Sequence, residues 1–261
     1  MRKLNRSRLL LHGRGLFILA VLMSLAFTFS QKPALYIIGD STVKNTNTSF
    51  MGWGTAMQTL FDTTRIEVRN HAMAGRSTRT FIKEGRWAAV SSQLKAGDYV
   101  MMQFGHNEGS HPDTTRGGYR GVLRGIGEET KELIWPDGTP ETVHTYGWYI
   151  RQFIRDAQSR GAIPIVLSMI PRNSWKAGKV VRADQDFGLW AKQVAEQENA
   201  YFIDLNKITA DRYEKMGPHR VKQLFPTDHT HTNAQGALIN AESVMKGLKK
   251  QKQIGLHTFL K

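Results

Sequence analysis

Four short stretches of the chain carry residue types that can do chemistry together. The first is Gly39-Asp40-Ser41-Thr42, directly after an apolar run at 35–38. Its serine offers a hydroxyl nucleophile, and Gly39 relieves crowding at the turn. A helix N-terminus here would favour negative charge developing beside the hydroxyl. The same residues also suit plain turn chemistry, with Asp40 or Ser41 as an N-cap. The second stretch is Asn70-His71-Ala72-Met73-Ala74-Gly75-Arg76-Ser77. Gly75 can bring a backbone N–H close to a reacting oxygen, or simply make a turn. The third, Gln103-Phe104-Gly105-His106-Asn107-Glu108, holds an Asn107 side chain that can donate to an oxyanion or close an Asx turn. The fourth is Phe225-Pro226-Thr227-Asp228-His229-Thr230-His231-Thr232-Asn233. Asp228 and His231 stand three apart, which lets the carboxylate reach imidazole Nδ1 within one turn. Such a pair fixes the tautomer and turns Nε2 towards a nucleophile as general base. His229, His231 and a carboxylate are also zinc-ligand types. A serine at the first strand end gives His231 a different partner, so no metal is expected.

A fold must deliver these stretches to one place. Short apolar runs at 35–38, 66–68, 99–104, 163–169 and 201–205 alternate with amphipathic stretches such as 87–94, 148–157 and 187–197. Strands with helical crossovers make an α/β protein, with a parallel sheet covered on both faces and right-handed connections. Ligands bind at the carboxyl ends of such strands, where the first three stretches fall. The exception to the alternation is the segment 109–147, which is long, Gly-rich and without clear periodicity. With Pro112, Pro136, Asp137-Gly138 and Pro140, it reads as a loop inserted over one end of the sheet. Its Trp135, Tyr119 and several arginines suit a binding role.

The chain has 261 residues, a formal charge of +14 and no cysteine. The length fits one α/β domain or two small ones. The absence of cysteine excludes a disulfide scaffold, a cysteine nucleophile and a thiolate zinc site. Residues 1–14 hold Arg2, Lys3, Arg6, Arg8 and Arg14 and no acid, and an apolar run at 16–29 follows. Thr28 and Ser30 are the small residues before a cut at Gln31. Residues 1–30 therefore read as a secretory signal peptide, and the protein is expected to be exported, periplasmic or extracellular. The fourteen-residue run falls short of the ~17–25 that span a bilayer, so no membrane association is expected after cleavage. Removing five cations leaves a net charge of +9 on 31–261. That favours anionic partners, and for an exported protein these are polysaccharide or membrane rather than nucleic acid.

The order and spacing of the four stretches resemble the SGNH (GDSL-like) hydrolase superfamily. Within it the chain is most similar to the rhamnogalacturonan acetylesterases. Gly39-Asp40-Ser41-Thr42, Gly52-Trp53-Gly54, Ala74-Gly75-Arg76-Ser77, Gln103-Phe104-Gly105-His106-Asn107 and Asp228-His229-Thr230-His231-Thr232 carry the resemblance, which runs from Leu35 to about Leu248. Glu108 departs from it, standing where the family often has Asp. The second glycine of a Gly-x-Ser-x-Gly elbow is absent, which speaks against an ordinary α/β-hydrolase.

The resemblance implies one domain over 31–261, a flavodoxin-like three-layer α/β/α sandwich with about five parallel strands. It implies a serine esterase without cofactor or metal. In it, Ser41 is the nucleophile, His231 the base and Asp228 its orienting carboxylate. The oxyanion is held by the N–H groups of Ser41 and Gly75 and by the Asn107 side chain. The implied substrate is an acetylated anionic polysaccharide, rhamnogalacturonan first, with xylan as the alternative. Arg76, Arg79, Arg86, Arg120 and Arg172 are candidates to pair its carboxylates, Arg76 foremost. Trp53, Trp135 and Trp148 are candidate sugar-stacking faces, although Trp148 at helical spacing from Phe153 suits a core position better. A lipase or thioester hydrolase of the same fold would want an apolar acyl tunnel, which these polar, Gly- and Arg-rich stretches do not favour. A non-catalytic polysaccharide-binding protein would leave Ser41, Asn107, Asp228 and His231 together without a reason.

Overall fold

Strand β1 (Ala34–Gly39) is buried along its whole length, and its side chains alternate between two apolar layers. Tyr36 and Ile38 enter one core; Leu35 and Ile37 enter the other. That division, which follows from the two-residue period of a strand, makes β1 the centre of a three-layer molecule. The computed structural model describes residues 32–261, and the expected signal at 1–30 lies outside the described residues.

In chain order β1 is followed by α1 (Trp53–Met57), β2 (Glu67–Asn70), α2 (Thr78–Lys83), α3 (Arg86–Ser91) and β3 (Tyr99–Gln103). Then come β4 (Thr130–Ile134), β5 (Pro140–His144), α4 (Tyr146–Ser159) and β6 (Ile163–Leu167). The chain continues through β7 (Trp175–Lys176), β8 (Lys179–Val180), α5 (Phe187–Gln197), β9 (Tyr201–Ile203), α6 (Leu205–Met216), α7 (Pro218–Lys222) and α8 (Ala234–Lys250). The main sheet has five strands in the order β2-β1-β3-β6-β9, all parallel.

One face of the sheet is covered by α2 to α5, through Phe81, Trp87, Phe153, Ile154 and Val194. The other is covered by α1 and α8, through Trp53, Met57, Ala241, Val244 and Leu248. The expected doubly covered parallel sheet is therefore present, and Pro33–Lys261 form one unit. Because the order reverses at β1, its two neighbours β2 and β3 are reached by crossovers on opposite sides. The crevice at their carboxyl ends is the usual ligand site of such sheets.

Two local expectations are corrected. No helix starts after Ser41. Residues 41–43 form a turn closed by the N–H groups of Val43 and Lys44 on the Asp40 carbonyl, and the next helix begins at Trp53. Nor is 109–147 plain loop. It contains the antiparallel hairpin β4-β5, whose strands expose alternate residues and so bury too little apolar surface to read as strands in sequence.

Candidate active site

Three neighbouring strands each end in one of the sequence stretches. After β1, Ser41 sits in a turn held from below. Asp40 Oδ1 accepts from the Thr42 N–H (2.8 Å) and hydroxyl (2.7 Å), Gln103 Nε2 donates to Thr42 Oγ1 (2.9 Å), and the Trp53 indole N–H donates to Gln103 Oε1 (2.8 Å). A Cβ on Gly39 would lie 2.5 Å from both the Gln103 carbonyl and Val43, so only glycine lets the turn close this tightly.

Asp228 and His231 come from the loop between α7 and α8. That loop is anchored by Asn233, which caps α8 by accepting from the Gly236 N–H at 3.0 Å. It also pairs with the Met51 segment through Met51 N–H to Thr232 O at 2.8 Å. His231 Nε2 lies 2.9 Å from Ser41 Oγ, and its Nδ1 lies 2.7 Å from Asp228 Oδ2. Asp228 Oδ1 accepts from the backbone N–H groups of Thr230 and His231, each at 2.7 Å. Partial burial works to raise the Asp228 pKa. The hydrogen bonds from the His231 ring and the two N–H groups outweigh it and bring the carboxyl down to about 2. Phe50 packs against the His231 ring with centroids 5.0 Å apart, a contact for which the sequence carries no signal.

Gly75 follows β2 with φ +76°, a left-handed conformation in which a side chain is strained. No described hydrogen bond takes up the N–H of Ser41 or of Gly75. The Asn107 side chain is held at both ends: Nδ2 donates to the Arg76 carbonyl (3.0 Å) and Oδ1 accepts from Arg120 Nη1 (2.9 Å). One amide N–H remains for a ligand. A hydroxyl, an imidazole with its orienting carboxylate, and three free N–H donors on neighbouring turns can perform acyl transfer. With Nε2 on Ser41 and Nδ1 on Asp228, the His231 ring has no nitrogen left for a metal. Among the described residues no group of three His, Asp or Glu side chains stands ready to hold one.

Residues 37–239 match the GDSL-like lipase/acylhydrolase family. The chain belongs to that family. It is an ester hydrolase, and its relatives within the family are named as acetylesterases. It is 34% identical over 214 residues to the rhamnogalacturonan acetylesterase of Emericella nidulans, covering 82% of this chain and 84% of that one. It is 29% identical over 223 residues to the probable rhamnogalacturonan acetylesterase YesY of Bacillus subtilis, covering 83% and 92%. Among solved structures, the YxiM protein of Bacillus subtilis superposes with a TM-score of 0.68 at 26% identity, over 85% of this chain and 57% of that one. An acetylxylan esterase of Geobacillus stearothermophilus shares the fold, with a TM-score of 0.53 at 16% identity over 83% and 94%.

Several expected substrate contacts of this family member are corrected. Trp53 is fully buried and its N–H is spent on Gln103, so it supports the Ser41 turn and offers no face to a sugar. Arg79 is 1% exposed. Its guanidinium forms a two-pronged pair with Glu141 (2.9 and 2.8 Å) and also donates to the carbonyls of Gly118 and Gly121, which ties the insertion to α2. Trp135 belongs to the same junction, donating to Glu141 at 2.6 Å with Lys83 Nζ 4.1 Å from its ring centroid. Trp148 stacks on His144 at 3.7 Å. Arg76 and Arg86 share the single Glu84 carboxylate and stay part-exposed, so neither expectation is contradicted.

Glu108, to which the sequence assigned no chemistry, is 1% exposed and bridges two walls of the site. Its Oε1 accepts from the Thr78 N–H (2.8 Å) and its Oε2 from the Asn107 N–H (2.9 Å). Burial first, and then the nearby Asp40 carboxylate, push its pKa up to about 8; burial likewise lifts Asp40 to about 6.

Proposed function

We propose that this chain is an exported carbohydrate esterase that removes O-acetyl groups from pectic polysaccharide of the rhamnogalacturonan type. His231 Nε2 takes the proton as Ser41 Oγ attacks the acetyl carbonyl, and Asp228 stabilises the resulting imidazolium without accepting the proton. The tetrahedral oxyanion is received by the N–H groups of Ser41 and Gly75 and by Asn107 Nδ2. Protonated His231 then delivers its proton to the departing sugar hydroxyl, leaving acetyl on Ser41. Water, activated by the same ring, releases acetate and restores the serine.

The observation that carries the mechanism is the continuous 2.9 and 2.7 Å relay from Ser41 through His231 to Asp228. The names of the relatives at 34% and 29% identity support the substrate class, as does the +9 charge left without residues 1–30. The test is acetate release from a panel of acetylated pectic and hemicellulosic polymers, with Ser41→Ala as the blank. Release fastest from rhamnogalacturonan is expected. Preference for acetylated xylan would move the substrate, and preference for long-chain p-nitrophenyl esters over the acetate would replace a carbohydrate esterase by a lipase. Export is tested by sequencing the N-terminus of protein recovered from the medium or periplasm, with Gln31 expected first.

A further inference from the structure

The general base stands on an irregular loop whose residues 226–229 are exposed. Misplacing such a group by about 1 Å costs ~10²-fold in rate, so the loop has to be held. After His231 the hold is Thr232. Its carbonyl accepts from the Met51 N–H (2.8 Å) and its hydroxyl donates to the Met51 carbonyl (3.1 Å). Before His231 the hold comes from the segment that follows β6. The Asn173 N–H donates to the His229 carbonyl at 2.7 Å. Arg172 Nη1 donates to Thr230 Oγ1 at 2.6 Å and lies 3.3 Å from His229 Nε2. Thr230 belongs to the turn that presents the base, since its N–H donates to the Asp228 carboxylate that orients the ring.

The other end of the same guanidinium reaches the oxyanion side. Arg172 Nη2 donates to the His106 carbonyl at 3.3 Å, and that carbonyl shares a peptide unit with Asn107. One planar group therefore spans the gap between the base loop and the oxyanion turn. Its own segment is tied to the sheet: the Ile170 N–H donates to Gln103 Oε1 (3.4 Å), and the Met169 carbonyl accepts from Asn206 (2.8 Å). Among the described residues, the bonds of Arg172 go to a hydroxyl, a carbonyl and an imidazole, and none to a carboxylate. A guanidinium fork can bridge two turns in this way, whereas an ammonium is a point charge. From sequence Arg172 is a candidate for polymer carboxylates; in the structure both its Nη atoms are spent on the protein's own turns.

We infer that Arg172 is a positioning residue for acyl transfer. It fixes the base loop at a set distance from the oxyanion donor and acts through His231 and Asn107, without touching the substrate. This rests on the acyl-transfer reading above, not on the choice of polymer.

The experiment follows p-nitrophenyl acetate, which has neither sugar nor carboxylate. Arg172→Ala should lose about tenfold to a hundredfold in kcat with KM little changed, and the same factor in acetate release from acetylated polymer. Arg172 lines a cavity of about 250 Å³, which gives a small cation a way in. Guanidinium chloride at millimolar, non-denaturing concentration should therefore restore part of the lost kcat, and sodium chloride at equal ionic strength none. A merely structural arginine would lower the melting temperature without that rescue. Thr230→Val removes only the acceptor of the shortest bond. It should lose a smaller factor in kcat, and adding it to Arg172→Ala should cost nothing further. If Arg172→Ala does not fold, Thr230→Val decides alone, and an unchanged kcat overturns the inference. A loss confined to the polymer would make Arg172 a substrate contact instead. An unchanged kcat in Arg172→Ala, or a loss that guanidinium does not relieve, would also overturn it. A wild type inert on both substrates would remove the acyl-transfer reading, and this inference with it.

Discussion

At the scale of single residues, the site depends on how few degrees of freedom its donors retain. The Asn107 amide would lose rotamer entropy on meeting an oxyanion if it were free. Here Arg76 O and Arg120 Nη1 hold it in place before substrate arrives. Arg120 also withdraws electron density through Oδ1, which makes the remaining N–H a better donor. Removing an oxyanion donor costs ~10²–10³ in turnover, so Asn107→Ala should lose that much in kcat with KM little changed. Arg120→Ala removes only the restraint and should lose about tenfold. The double variant should be no slower than Asn107→Ala. Losses that multiply would mean that Arg120 acts on the reaction independently of Asn107, so steady-state kinetics of the three variants decides the matter. Ser41→Ala should leave no acetate release above the uncatalysed rate, since no other group takes over as nucleophile. Chelator is expected to leave the rate unchanged, because both His231 nitrogens are already engaged; a loss restored by zinc would contradict this.

At the scale of elements, one buried junction binds the β4-β5 hairpin of the insertion to α2. Arg79 on α2 meets Glu141 on β5, which also accepts from Lys83 and Trp135. Burial works to raise the Glu141 pKa, but these three donors outweigh it and bring the carboxyl down to about 2. Glu141→Gln leaves a buried guanidinium without its countercharge, a loss of about 3–5 kcal/mol. For a domain of this size that corresponds to a melting temperature lower by about 10 °C. A shift of a degree or two by calorimetry would show that the carbonyls of Gly118 and Gly121 suffice for Arg79.

The same junction marks the limit of what sequence can tell. The three central strands β1, β3 and β6 were legible because they are buried on both faces and read as apolar runs, whereas the edge strand β2 is half-buried and offers only the short run at 66–68. The span of α5 agrees with the amphipathic stretch at 187–197. The hairpin β4-β5 was not legible, since Glu132, Thr142 and Glu141 interrupt any apolar pattern. Arg79 and Trp53 were misassigned for a related reason. A guanidinium or an indole has the same composition whether it faces a sugar or a buried partner, and the partners Glu141 and Gln103 lie 62 and 50 residues away. The meeting of Ser41, His231 and Asp228 in space was legible because each stretch packs several constrained residue types into a few positions.

At the scale of the whole molecule, buried carboxyls beneath the site couple its geometry to pH. Glu108 has a folded pKa near 8 against an ordinary value of 4.5. Between those values the folded protein holds a proton that the unfolded chain has released. Stability therefore falls as pH rises through this window, by up to about 1.4 kcal/mol per pH unit for one proton. Asp40, raised from 3.8 to about 6, adds the same sign over the lower part of the window. Asp228 acts oppositely where pH drops towards 2, and His106, held neutral down to about 3 against an ordinary 6.5, acts oppositely below that ordinary value. Urea denaturation at pH 7.0, 7.5 and 8.0, above the histidine range, should accordingly show the protein losing stability towards the alkaline end. In Glu108→Gln that slope should flatten by up to one proton, even though the amide cannot accept from both Thr78 and Asn107 and lowers stability at every pH. Histidines and surface groups titrate alike in both proteins, so the difference in slope belongs to Glu108. Parallel slopes would mean that Glu108 is already charged at neutral pH. Since Glu108 ties the first turn of α2 to the Asn107 turn, its ionisation loads the two walls that carry Gly75 and Asn107, and the alkaline loss of stability should begin at the oxyanion side of the site.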